Sequence, residues 1–143
     1  MAQNLLSWGT KEVKEVTGMA EKKIIVVDDD DSIRKTFHLL LKKQYRVFLA
    51  RDSEEALREF KSLKFDLIIA DLKLPRLSGL DLIARFRDLG YRGEAILISA
   101  HPDCISIDEL SRHAIGHFFA KPLDLNVLSR SIEYLLQTKE AVA

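Results

Sequence analysis

Four short apolar stretches of this chain each run straight into a residue that can do chemistry. Asp28 and Asp29 follow Val27, Asp71 follows Ala70, Ser99 follows Ile98, and Lys121 follows Ala120. If the stretches are neighbouring strands, three carboxylates, a hydroxyl and an amine share one rim. Carboxylates crowded in that way repel one another unless a cation neutralises them, and hard oxygen donors with room for water suit magnesium better than zinc. Zinc has no candidate ligand set, because His38, His101, His113, His117 and Cys104 do not make up a recognised set of zinc ligands. A metal held by two or three carboxylates keeps positions open for phosphate oxygens. The Lys121 ammonium and the Ser99 hydroxyl can then balance the remaining oxygens of a phosphoryl group, where positioning and charge neutralisation supply most of the catalysis. Each residue alone has a plainer reading: Lys121 ahead of Pro122 suits a turn, Ser99 a strand end, Asp30 a solvated charge, and Asp31 with Ser32 the cap of a following helix. Their joint placement is what points to phosphoryl chemistry.

The strands that would bring these residues together are expected at 24–27, 45–49, 67–70, 95–98 and 118–120. Four of them are almost purely apolar, and strands without polar alternation are covered on both faces, as in a parallel sheet between helices. The second carries Arg46 and reads as an edge. Between the strands lie helical patterns: Ile33, Phe37, Leu40 and Leu41; Ala56, Leu57 and Phe60 behind a capping box of Asp52 and Glu55; and Leu82, Ile83, Phe86 and Leu89, stopped by Gly90. Ile107, Leu110 and Ala114 mark a shorter fourth helix, and Leu128, Ile132, Leu135 and Leu136 a fifth. Five βα units joined by right-handed crossovers make an α/β, doubly wound five-stranded parallel sheet, for which the order 2-1-3-4-5 is one of two common solutions. In such sheets ligands bind outside the carboxyl ends of the strands, where the order reverses. Asp28, Asp29, Asp71, Ser99 and Lys121 all stand at those ends.

The 143 residues are the size of one domain, expected to occupy 22–143 behind an N-terminal extension at 1–21 in which Thr10 can cap a short helix through Val16. With 47% hydrophobic and 31% charged residues, the chain can build a core and still solvate its surface. Its 22 basic and 22 acidic residues balance, so no overall field draws it to nucleic acid. Cys104, the sole cysteine, rules out an internal disulfide and fits a reducing compartment. No apolar run approaches the roughly 18 residues of a membrane span, and a cytoplasmic address is expected.

The ordered set Val26-Val27-Asp28-Asp29-Asp30, Asp71 with Leu74-Pro75 and Gly79, Ser99-Ala100 and Lys121-Pro122 resembles the signature of response-regulator receiver domains of two-component signalling, over about residues 22–137. The resemblance implies a flavodoxin-like receiver fold with five helices. It makes Asp71 the phosphoacceptor, attacking the phosphohistidine of a sensor histidine kinase or a histidine phosphotransfer protein. It places magnesium on Asp29, Asp71 and the backbone carbonyl of Lys73, with Asp28 acting mainly through water. Lys121 would pair with the phosphoryl group or with Asp71, and Ser99 would bind a phosphoryl oxygen on its arrival. Phe118 matches the switch aromatic, although a plain core phenylalanine reads equally well there. Ser99 stands where Thr is commoner, and His101 replaces the acid usual two residues later. Lys73 and His101 are accordingly expected to tune the lifetime of the phosphorylated state.

A chain of this kind is a signalling phosphoacceptor rather than an enzyme acting on a separate substrate, although it assists its own phosphorylation and dephosphorylation. Its output is expected through the face of the fourth helix, fifth strand and fifth helix, to a downstream protein or effector domain or in a phosphorylation-linked homodimer, without direct contact to nucleic acid or membrane. The alternative is an interaction module of the same fold that works independently of phosphorylation; retention of all five site residues argues against it. A flavin-mononucleotide protein would need a hydroxyl-rich phosphate loop after the first strand, where residues 28–31 are instead acidic. A haloacid-dehalogenase-type phosphatase would want an acid two residues after its nucleophile, where Lys73 stands.

Overall fold

The apolar runs form five parallel strands, and their near-continuous hydrophobicity resolves into two faces once they are paired. The computed structural model describes residues 21–142. Within them the order is β1 (Lys23–Val27), α1 (Asp31–Leu41), β2 (Arg46–Ala50), α2 (Ser53–Phe60), β3 (Leu67–Asp71), α3 (Gly79–Asp88), β4 (Glu94–Ser99), a 3-10 turn (Pro102–Cys104), α4 (Ile107–Arg112), β5 (His117–Ala120) and α5 (Leu125–Val142). The sheet runs β2-β1-β3-β4-β5. Ile24 pairs with Leu67, and Asp71 with Ile98, so the carboxyl ends of β1, β3 and β4 finish at one level.

Alternate residues of each strand serve different cores. Ile24, Val26, Leu67, Ile69, Ile96 and Ile98 pack under α1 and α5 against Phe37, Leu41, Leu128, Ile132 and Leu136. Ile25, Val27, Ile68, Ala70 and Leu97 pack on the opposite face with Ala56, Leu82, Ile83 and Phe86 of α2 and α3. The period of two expected of any strand is therefore present but hidden, because both sides are dry. Each large side chain so buried stabilises the fold by about 1.5–3 kcal/mol before entropy is counted. The two outer strands, β2 and β5, are the less buried ones, as Arg46 foretold for β2.

Local details correct the sequence reading in four places. The cap of α1 is Asp30, whose carboxylate accepts from Ser32 N, while Asp31 is the first helical residue and pairs with Arg34 and Lys35. At α2, Asp52 does cap Glu55 N, but the Glu55 carboxylate returns to Arg51 N, so the box closes one residue early. A complete box stands instead at Ser106 and Glu109, in front of α4. Of the three residues expected to face inward from the fourth helix, only Leu110 packs on the core: Ile107 is 81% exposed, and Ala114 lies beyond the helix end in a left-handed conformation. Ile115 fills the inward position. Leu89 likewise faces solvent, as the C-cap of α3. The expected N-terminal extension, with its helix from Thr10, falls almost wholly outside the described residues.

Candidate functional site

Strand ends deliver the site. Asp28 directly follows β1, and its side chain is wholly buried; Asp71 is the last residue of β3, and Ser99 the last of β4. Lys121 follows β5, with its N–H donating to the carbonyl of Ser99 at 2.8 Å. Oxygens of Asp28, Asp29 and Asp71 lie within 4.8 Å of one another, as one ion could require. The Lys121 ammonium donates to Asp28 Oδ2 and Asp71 Oδ2, each at 3.2 Å. Three carboxylates against one ammonium leave two negative charges in excess, which a divalent cation would balance; the all-oxygen donor set therefore fits magnesium.

The loop after Asp71 is held close to it. Lys73 N donates to Asp71 Oδ1 at 3.3 Å, and Gly79 N donates to the carbonyl of Leu72 at 2.8 Å. Gly79 permits this approach, since a Cβ there would stand 2.8 Å from the carbonyl carbon of Asp71 and nearer still to its oxygen. Farther along, the buried Ser53 hydroxyl donates to Leu77 O, fastening the loop to α2.

On the other side of the site, Ser99 is fully buried, and its Oγ accepts from His101 N at 2.9 Å, which leaves the hydroxyl proton available to donate. Asp29, Lys73 and His101 are exposed, whereas Phe118 is half-buried and packs toward the α2 and α3 face. All the residues singled out in the sequence thus lie at the carboxyl end of the sheet or beside it, save Phe118, which sits within β5. Two more residues belong there, Asp30, which the sequence reading took for a solvated charge, and Arg34, which it passed over: the Asp30 N–H donates to Asp28 Oδ1 at 2.9 Å, and Arg34 reaches the Asp28 carbonyl. The signal for Arg34 was a charged residue on the side of α1 that carries Ile33 and Phe37.

Burial, reinforced by the nearby Asp71 charge, raises the pKa of Asp28 above the ordinary aspartate value, against the pull of the Asp30 N–H and Lys121. Burial also disfavours the Lys121 ammonium, but the two carboxylates outweigh it and the net shift is upward. Between the ordinary carboxylate pKa and the raised one, folded Asp28 holds a proton that the unfolded chain has released. Stability of the metal-free protein must therefore fall as pH rises through that window. Asp28→Asn should remove this fall and, because the buried charge and its repulsion with Asp71 are gone while Lys121 keeps Asp71, leave the metal-free chain at least as stable as the parent at neutral pH. Urea midpoints in chelator at acidic and neutral pH check this; a variant less stable than the parent at neutral pH would contradict it.

The family model described as the response regulator receiver domain matches residues 24–133. The CAI-1 autoinducer sensor kinase/phosphatase CqsS of Vibrio cholerae is 30% identical over 118 residues, which is 78% of this chain but only 17% of that protein. Sporulation initiation phosphotransferase F of Bacillus subtilis is 26% identical over 122 residues, 85% of this chain and 98% of the relative. Among solved structures, the response regulator protein TrrA of Thermotoga maritima, in complex with Mg2+ and BeF, superposes with a TM-score of 0.71 at 30% identity, covering 80% of this chain and 98% of that one.

Proposed function

The chain belongs to the response-regulator receiver family, and from that premise we propose that Asp71 accepts a phosphoryl group from a phosphohistidine partner with magnesium held by the acidic cluster. The observation that carries the reading is the convergence of Asp28, Asp29 and Asp71, with Lys121 bound to two of them, at the end of a central strand. An oxygen of the Asp71 carboxylate attacks phosphorus, the P–N bond breaks, and its electron pair leaves on the imidazole nitrogen. Magnesium, when bound, would neutralise the acids and the phosphoryl oxygens during that displacement. Asp29, Asp71 and the Lys73 carbonyl would hold it, with Asp28 acting through water. Lys121 exchanges its bond to Asp71 for one to a phosphoryl oxygen, and the Ser99 hydroxyl donates to another. Moving Ser99 and Lys121 together biases β4, α4 and β5, with Phe118 following, toward the signalling state; α4, β5 and α5 then meet a downstream protein, an effector domain or a second copy.

Residues 22–143 form the receiver unit in this reading, in a cytoplasmic protein; among the described residues no helix is long and apolar enough to cross a membrane. Incubation with phosphoramidate and magnesium tests the proposal. The intact chain should gain one phosphoryl mass that hydroxylamine removes, as expected of an acyl phosphate. A chain that gains none at any donor concentration would overturn it.

Lys73 and His101 stand two residues beyond Asp71 and Ser99, both exposed at the mouth through which a hydrolytic water must enter. Replacing them with Ala, singly and together, should change the decay of phosphorylated protein by several-fold, about 1 kcal/mol in the barrier, with little change in its formation. Phosphate loss after removal of the donor measures this, and equal decay in all variants would assign both residues to the solvated surface.

A further inference from the structure

Arg34 reaches back over the first turn of α1 to the strand end that carries the acid pair. Its Nη1 donates to the backbone carbonyl of Asp28 at 2.7 Å and its Nη2 to Asp31 Oδ1 at 2.8 Å, while its side chain is only 16% exposed. The carbonyl it grips belongs to the peptide unit joining Asp28 to Asp29. A peptide unit is planar, so fixing that oxygen fixes the direction in which the chain enters Asp29. This matters because Asp28 and Asp29 are oriented by different means. The Asp28 carboxylate is buried and tied to Asp30 N and Lys121, whereas the exposed Asp29 carboxylate has no such ties among the described residues. Its aim is inherited from the backbone.

We propose that Arg34 is a positioning residue for the metal-binding acids: by holding the Asp28–Asp29 peptide it aims the Asp29 carboxylate at the ion. The inference rests on the reading of the site given above. The planar guanidinium suits this task, since its fork makes both bonds from one rigid group; the bond that matters is the one to the Asp28 carbonyl, the other being to Asp31, an exposed carboxylate that also bridges to Lys35 at 3.1 Å. Groups that orient a metal ligand without touching the metal commonly change affinity by about 10–100-fold when removed.

Calorimetric titration with magnesium chloride separates this role from a merely structural one. Arg34→Met keeps the aliphatic stem and removes both donors; it should weaken magnesium binding by about 10–100-fold while the urea midpoint of the metal-free chain moves little. Arg34→Lys retains one donor for the carbonyl and should fall between the Met variant and the parent. Asp31→Asn keeps the carbonyl bond and should bind magnesium within about twofold of the parent, since only a weak exposed pair is lost. Equal affinity in the Met variant and the parent overturns the proposal, and so does an Asp31→Asn loss as large as that of the Met variant. If the Met variant does not fold, parental affinity in the Lys variant overturns it instead. Should the parent itself bind no magnesium, the reading of the site fails and this inference with it.

Discussion

Asp71→Asn should take up no phosphoryl group from phosphoramidate, a loss of at least about a thousandfold, on the scale seen when a positioned nucleophile is removed. The amide is nearly isosteric, but its oxygen lacks the negative charge that makes the carboxylate a nucleophile. The other acids are poorly placed to substitute for it. Asp28 is buried and engaged with Asp30 N and Lys121, while Asp29 lies beyond a strand end rather than in one. The fold should survive, because Asn removes one of three crowded charges and leaves Lys121 paired with Asp28. Intact mass after incubation with donor and magnesium gives the result; labelling of the variant at the parental rate would refute the assignment.

Removing divalent metal should be nearly as damaging. A phosphoryl group cannot approach two uncompensated negative charges without large repulsion, so excess chelator is expected to slow uptake by at least about a hundredfold, a barrier change of about 2.7 kcal/mol. Magnesium should also stabilise the folded chain, by about 2.7 kcal/mol at one hundred times its dissociation constant. Asp29→Asn should abolish most of both effects, since this exposed carboxylate belongs to the cluster and holds up no core. Melting curves with and without magnesium, run beside the phosphorylation assay, check the two together. Full-rate uptake in chelator would exclude the metal from the reaction.

What the sequence made legible follows from what each signal measures. Sheet order and the rim of acids, hydroxyl and amine could be read because buried parallel strands leave apolar runs with abrupt ends, and the residue after each end is placed by the sheet. Positions governed by local backbone geometry were read one residue out: the choice between Asp30 and Asp31 as cap depends on which residue is extended, and composition cannot tell two adjacent aspartates apart. The fourth helix misled for a related reason. An apolar residue at helical spacing implies a buried face only when the helix is long enough to own one, and α4, from Ile107 to Arg112, leaves Ile107 outside. For Arg34 the sequence offered only a charge on the side of α1 that carries Ile33 and Phe37, and its partner, a backbone carbonyl, is announced by no pattern of side chains. The stacking of Gly79 on Asp71 is similar, a contact between segments visible only in three dimensions.

The central claim is that one carboxylate, Asp71, carries the phosphoryl group. Its most direct test is to treat the phosphorylated chain with borohydride, which reduces an acyl phosphate to an alcohol at the carbonyl carbon, and then to map peptides by mass spectrometry. The alcohol should appear at position 71 alone, and only in samples given both donor and magnesium. An alcohol at Asp28 or Asp29, or a phosphorylated chain from which none can be recovered, would contradict the account.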